Sequence, residues 1–156
     1  MGTLKYTTVV PVGTTVGEIQ AMLVGHGADA IGVRYENRQP VGLAFTLDTV
    51  NGPQSFNLPV DIAAVLRLLA AQHADGRITT RHVRKHVLLS REHAARVAWR
   101  VLKDWLAAQL AMIEAEMATL DQIMLPYMVT GPNGVTLYDE FRARQLTTGH
   151  ADQESR

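Results

Sequence analysis

Residues 41–47 read Val-Gly-Leu-Ala-Phe-Thr-Leu, and this stretch decides the fold because its large apolar side chains occupy every second position. Strict alternation places those side chains on one face of a β-strand. The pair Asn51-Gly52 follows and is typical of a tight hairpin turn, after which residues 54–58 supply a further short strand. The stretch therefore predicts an antiparallel meander with one buried face.

The flanking sequence adds further strands and helices to this meander. Residues 4–10 are rich in β-forming side chains, and a helix capped by Thr14 or Thr15 follows them. Residues 31–35 predict another strand, and Pro59 with Asp61 favours the start of a second helix. The predicted fold class is α+β: an N-terminal β-α-β-β-β-α unit with an antiparallel sheet, followed by a long α-helix and a short C-terminal helix.

The second half of the chain is predicted to be helical. Ser90 is placed to N-cap a helix that runs to about Met117, and Thr136 with Asp139 is placed to cap a last short helix. The long helix carries a broad apolar band, which favours packing against other helices. The predicted oligomerisation positions in this band are Val101, Trp105, Ala108 and Met112.

These patterns divide the chain into four segments. They are a small α+β unit at 1–75, a basic connector at 76–90, a helical region at 91–147 and a flexible tail at 148–156.

The composition excludes several classes of function. The 156 residues include 15 basic and 15 acidic side chains and no cysteine, which rules out disulfides, thiol catalysis and cysteine-ligated zinc. No P-loop, dinucleotide-binding, nucleophile-elbow or zinc-protease motif is present, so we expect no cofactor and no metal, and an enzyme is the less favoured class. No segment is apolar for long enough to span a bilayer or to serve as a signal peptide, which predicts a cytoplasmic protein without a membrane partner.

The neutral total charge conceals a basic middle. Residues 77–103 carry eight basic side chains and one acidic side chain, whereas the segments on either side are acidic. Such asymmetry indicates a polyanionic partner. The predicted nucleic-acid-binding residues are Arg77, Arg81, Arg84, Lys85, Arg91, Arg96, Trp99, Arg100 and Lys103, with Trp99 as a platform on which a base can stack.

Other interpretations of the same residues stay open. Trp99 is also consistent with core packing, which is the favoured interpretation, and Arg96 is spaced to pair with Glu92 on a solvated helix face. The basic stretch is also suited to meet acidic residues of the same chain or of a neighbouring one. Finally, residues 80–97 resemble a helix-turn-helix motif in which Arg91, Ala95 and Arg96 face the DNA groove, although Val87 and Leu88 occupy the turn where glycine is usual.

Several segments together carry a resemblance to a family. They are residues 95–105 (ARVAWRVLKDW), 108–117 (AQLAMIEAEM), 125–128 (LPYM), 136–138 (TLY), 6–8 (YTT), 16–20 (VGEIQ) and 56–59 (FNLP). The chain thereby resembles a family of small uncharacterised proteins recurrent in tailed-phage and prophage genomes, over residues 4–72 and 91–146. The resemblance implies the cytoplasm of a host cell and an accessory role in genome replication, recombination or counter-defence.

Two functions follow as expectations. The first is a non-enzymatic phage accessory protein of DNA metabolism, which binds nucleic acid, with single-stranded DNA favoured, and forms homo-oligomers through the long helix. The alternative is a protein-binding module, such as an inhibitor of a host or defence factor or a component of virion assembly. In that case the long helix and the basic patch form a protein interface.

Overall fold

The computed structural model describes residues 6–78 and 84–151. It contains helices and a single antiparallel sheet, which confirms the predicted α+β class. The elements in chain order are α1 (Val12–Gly25), β1 (Ala28–Glu36), β2 (Gln39–Thr49), β3 (Gly52–Pro59), α2 (Ile62–Ala74), α3 (Lys85–Leu88), α4 (Arg91–Glu114), α5 (Leu120–Met124) and α6 (Leu137–Ala151).

The three strands form a meander in the order β1-β2-β3. Thr49 pairs with Gly52 across the predicted Asn51-Gly52 hairpin turn, where Gly52 has a φ of 98° that suits glycine. Asn37 and Arg38 form the other hairpin turn, and both have positive φ values, as a tight turn between twisted strands requires. The alternation in residues 41–47 is confirmed, because its large side chains line the buried face.

The predicted first strand is wrong where the structure describes it. Residues 6–10 form no strand, so the sheet has three strands rather than four, and residues 4–5 lie outside the described part of the chain. The segment runs past the start of α4 instead, where the Tyr6 carbonyl oxygen contacts the His93 Nε2 atom. Helix α1 then starts directly after Pro11, before the threonines that were predicted to cap it.

The helices cover one face of the sheet. Helix α4 packs against both α1 and α2, while α1 also contacts β1. The core is one cluster to which the sheet and all three of these helices contribute, so the predicted α+β unit and helical region share it. Its largest fully buried side chains include Trp99 of α4 and the stacked pair Phe45 and Phe56 of the sheet.

The predicted helix caps are confirmed for α4 and α6. The Ser90 side chain accepts a hydrogen bond from the His93 backbone at the start of α4. Asp61, predicted to favour the start of α2 through its charge, is the N-cap of that helix and accepts a hydrogen bond from the Ala64 backbone, whereas Pro59 is the last residue of β3 and not the first turn of the helix. Thr136 and Asp139 bond to each other ahead of α6. Helix α4 ends at Glu114, a few residues before the predicted end, and α6 continues into the segment predicted as a tail.

Candidate interaction site

Three of the predicted basic residues, Arg96, Arg100 and Lys103, form a stripe along α4 whose charges are already paired within the chain. The Glu18 carboxylate of α1 lies 2.6 Å from Arg100 Nη1 and 2.7 Å from Lys103 Nζ. The hydrogen bond from Lys103, assisted by the one from Arg100, holds the pKa of Glu18 below its ordinary value. Arg96 Nη1 pairs with Glu92 at 3.1 Å, as its spacing predicted. The three cations of the predicted stripe therefore face carboxylates of α1 and α4.

Trp99 is a core residue. Its side chain is fully buried, and its indole N–H donates a hydrogen bond of 3.0 Å to the carbonyl oxygen of Pro40 at the start of β2. The core interpretation of the sequence is therefore confirmed. The stacking role is wrong for this structure, because no face of the ring is open to a base.

The remaining predicted basic residues lie before α4 or at its start. Arg84, Lys85 and Arg91 are exposed, and none of them has an ion pair with a described residue. Arg77 is exposed but pairs with Asp75 at 2.7 Å. Arg81 lies outside the described residues. Among the described residues of the predicted set, the exposed cations without an ion pair are thus those at 84, 85 and 91, which precede or begin α4, rather than a continuous stripe along the long helix.

The helix-turn-helix interpretation fails at its recognition surface. Ala95 is fully buried against the core, whereas Arg91 is exposed and Arg96 is only partly exposed and bonded to Glu92. A recognition helix needs such residues together on one accessible face. The structure does not bring these three side chains to a common surface.

An apolar groove opens between α2, α4 and the end of β3. Its volume is about 390 Å³. Two of the predicted oligomerisation residues, Val101 and Trp105, line it, and Val101 is 39% exposed. Ala108 is exposed and Met112 half-buried, and neither lines the groove. The groove therefore brings together only part of the predicted apolar band.

Sequence reasoning missed the other side of this groove. Ala64 and Val65 of α2 and Tyr127 face Val101 and Trp105 across it. The Trp105 and Tyr127 rings meet edge to face at a centroid distance of 5.6 Å. Helical spacing in residues 62–69 predicted an apolar face on α2, but no local pattern joins that face to an aromatic residue more than fifty positions away.

The groove is lined by one acidic residue, Asp61. Asp61 is exposed at the N-terminus of α2 and lines the groove, with its Oδ1 accepting a 2.8 Å hydrogen bond from the Ala64 backbone. The floor and walls are otherwise dominated by aliphatic and aromatic side chains. An apolar segment that carries a positive charge at one end matches this arrangement.

Helix α6 stands apart from the core. Every described side chain from Phe141 to Gly149 is exposed, and Tyr138, Phe141 and Leu146 are 50%, 56% and 63% exposed. The helix contacts the short turn at residues 125–127. The sequence predicted the cap of this helix but not its separation from the body of the protein.

The histidines do not form a metal centre in the described chain. His93 is buried, which lowers the pKa of its imidazole, and its two ring nitrogens contact Tyr6 and Arg96. His86 is exposed, and His82 lies outside the described residues. Among residues 6–78 and 84–151, no group of three or more potential ligands is placed to hold a metal ion.

Comparison with known protein families, with curated proteins and with solved structures finds no match to this chain. Within its described residues, the structure contains no helix both long and apolar enough to cross a bilayer.

Proposed function

We propose that the protein is a protein-binding module whose docking surface is the groove between α2 and α4. The observation that carries the proposal is that this apolar groove is open and that Val101 is partly exposed on its wall. The basic residues of the same helix, by contrast, are already paired with carboxylates, as Arg100 is with Glu18. Exposed apolar surface in a concave site is typical of partner recognition. Contact of this apolar surface with water is unfavourable in the isolated protein, so its burial by a partner contributes favourably to the free energy of binding.

The partner segment that fits this groove is an amphipathic helix. Such helices insert apolar side chains spaced three and four residues apart into a hydrophobic groove between helices. A lysine or arginine at one end of that helix would meet Asp61 on the rim. The Trp105 and Tyr127 rings supply the large, rigid contact surface that dominates binding energy at many interfaces.

Site-specific photo-crosslinking tests this function. A photoreactive amino acid at Val101 is expected to capture a discrete polypeptide from a lysate of the source cell. The same amino acid at Ala111, an exposed position on the same helix, serves as the control. The partner's contact segment is then made as a peptide and titrated while Trp105 emission is followed.

Two matched variants test whether the peptide binds in the groove. Val101→Glu should weaken peptide binding at least tenfold, because it places an unpaired charge against apolar side chains. Val50→Glu, at a hairpin tip where Val50 is 99% exposed, should leave binding unchanged. Equal crosslinking at 101 and 111, or a peptide that tolerates Val101→Glu, would overturn the proposed docking site.

A second candidate is binding to nucleic acid in phage DNA metabolism, and the exposure of three basic residues, Arg84, Lys85 and Arg91, favours it. Three phosphate contacts by these cations would give a slope of roughly −2 in a plot of log affinity against log salt for single-stranded DNA. Fluorescence anisotropy with labelled single- and double-stranded oligonucleotides measures this slope. Replacing all three residues with glutamine should remove it, and no binding at low salt would eliminate this candidate.

A further inference from the structure

Arg34 lies on the face of the sheet that points away from the helices. Leu43 is fully buried in the core, so strand alternation places its neighbour Gly42, with the cross-strand partner Arg34, on the opposite face. A Cβ atom at Gly42 would lie only 3.3 Å from Arg34 Nε and 3.6 Å from Arg34 Nη2. The absence of a side chain at Gly42 therefore gives the Arg34 guanidinium room to lie over β2.

Arg34 lines a cavity of about 300 Å³. The lining also includes Asn57 of β3 and the segment 133–136, together with Tyr138 and Asp139 at the start of α6. Asn57 Nδ2 donates a 3.2 Å hydrogen bond to the Gly134 carbonyl oxygen and so ties this segment to the sheet. The cavity is therefore formed by parts of the chain that a hydrogen bond already holds together, and most small-molecule sites are preformed in this way.

Two opposite charges line the cavity, and each has bonding capacity left. Among the described residues, the Arg34 guanidinium has no hydrogen-bond partner and a single ion pair, to Glu36 at 3.6 Å, in which both side chains are exposed. Asp139 Oδ2 accepts hydrogen bonds from the Thr136 backbone N–H and hydroxyl, whereas Asp139 Oδ1 accepts none from the described part of the chain. The two bonds lower the pKa of Asp139, so its carboxylate is ionised at neutral pH.

Much of the remaining lining is apolar. Pro59 and Val135 contribute aliphatic surface, and Tyr127 and Tyr138 contribute aromatic rings. Among the residues that the structure describes, Arg34 and Asp139 are the only charged ones in this lining. A ligand that matches the lining therefore carries one carboxylate, one ammonium group and an apolar body.

We propose that this cavity binds a free amino acid with an apolar side chain. The ligand carboxylate accepts two parallel hydrogen bonds from the Arg34 guanidinium, which is the geometry that arginine and carboxylate prefer. The ligand ammonium group donates to Asp139 Oδ1, and the side chain packs against the aliphatic and aromatic lining. Neither Arg34 nor Asp139 lines the groove between α2 and α4, so this inference is independent of the proposed docking function.

Two-dimensional NMR titration with L-phenylalanine tests this site. Saturable shifts at millimolar ligand are expected for the Asn57 side-chain amide and for the backbone amides of Asn133 and Gly134, because these residues line the cavity. Two analogues test the two charges of the ligand. Phenylpropanoate, which lacks the ammonium group, and phenylethylamine, which lacks the carboxylate, should each bind at least tenfold more weakly than phenylalanine.

Substitutions that remove one charge test the two residues. Arg34→Gln and Asp139→Asn should each weaken phenylalanine binding at least tenfold, and Asp139→Asn keeps an oxygen that accepts from Thr136. Arg67→Gln and Asp29→Asn are the matched controls, since both residues are exposed and neither lines the cavity, and they should leave binding unchanged. Absence of saturable shifts with phenylalanine, equal binding of either analogue, or an unchanged affinity in Arg34→Gln or Asp139→Asn would overturn the proposal.

Discussion

The Trp99 indole N–H donates a 3.0 Å hydrogen bond to the Pro40 carbonyl oxygen and so links the first half of α4 to the start of β2. The ring is fully buried and is among the largest side chains of the core. This bond joins the half of the chain that forms the sheet to the half that forms the long helix. The bond also explains why a tryptophan occupies this position. An aliphatic residue would fill the space but leave the Pro40 carbonyl without this donor.

Trp99→Phe should lower the free energy of unfolding by about 1–3 kcal/mol, because it leaves the partly buried Pro40 carbonyl without this donor and removes ring volume from the core. Urea denaturation followed by circular dichroism measures the change. Trp105→Phe is the control, since Trp105 is only half-buried and its indole has no comparable bond among the described residues; its cost should be clearly smaller. Equal costs for the two substitutions would contradict the role assigned to the Trp99 bond.

His26 should make the protein less stable as the pH rises above neutrality. Its ring contacts the Met22 carbonyl at 2.7 Å and the Glu114 carboxylate at 2.6 Å, and these contacts raise the pKa of His26 above 6.5. A raised folded-state pKa gives stability that is complete below pH 6.5 and is lost as the pH rises through the folded value. Melting temperatures should therefore fall above pH 6.5, and His26→Gln should flatten that fall.

His93 should act in the opposite direction at acidic pH. Burial, and then the nearby positive charge of Arg96, lower the pKa of His93 below 6.5. The neutral ring gives stability that is present above pH 6.5 and is lost as the pH falls through the folded value. In the wild type, two-dimensional NMR should show His26 titrating above 6.5 and His93 below it; the reverse order would contradict both assignments.

The sheet was predictable from sequence because its signals are local. Alternation in residues 41–47 and the Asn51-Gly52 turn each fix a strand or hairpin without knowledge of the rest of the chain. Residues 6–10 show where this reasoning fails. Their β-propensity is real, but Pro11 opens a helix directly after them, and Tyr6 contacts His93 instead of a neighbouring strand. Tertiary contact overrides local preference there.

The candidate site was less predictable because it depends on pairs that are distant in sequence. Arg96 and Glu92 are four residues apart, so their ion pair was visible as a spacing. Glu18 and Arg100 are 82 positions apart in the sequence, and nothing local shows that one neutralises the other. The run of basic residues therefore indicated a binding face, although in the folded protein the basic side chains on α4 already pair with carboxylates.

Glu18 should couple energetically to Lys103, with which it forms a 2.7 Å ion pair. Glu18→Gln and Lys103→Met should each lower the melting temperature, and the double variant should lose less than the sum of the two, because each single change removes the same interaction. The coupling should shrink as salt is added. Glu18→Gln combined with Lys85→Met is the additive control, since Lys85 is exposed and has no ion pair with the described residues.

Helix α6 should depend on its N-terminal cap more than the other long helices do. Thr136 Oγ1 and the Thr136 backbone N–H each donate a 2.9 Å hydrogen bond to Asp139 Oδ2, and these bonds lower the pKa of Asp139. Residues 141–149, by contrast, are exposed and contribute little packing. Thr136→Ala should destabilise this helix by roughly 1 kcal/mol. Hydrogen exchange measures the effect: amides of α6 should exchange faster, while those of α4 stay unchanged.

Thr147→Ala is the control, because the Thr147 hydroxyl bonds only to the Ala143 carbonyl of its own helix, and it should leave exchange unaffected. Uniform acceleration across α4 and α6 would instead show that α6 unfolds only together with the core.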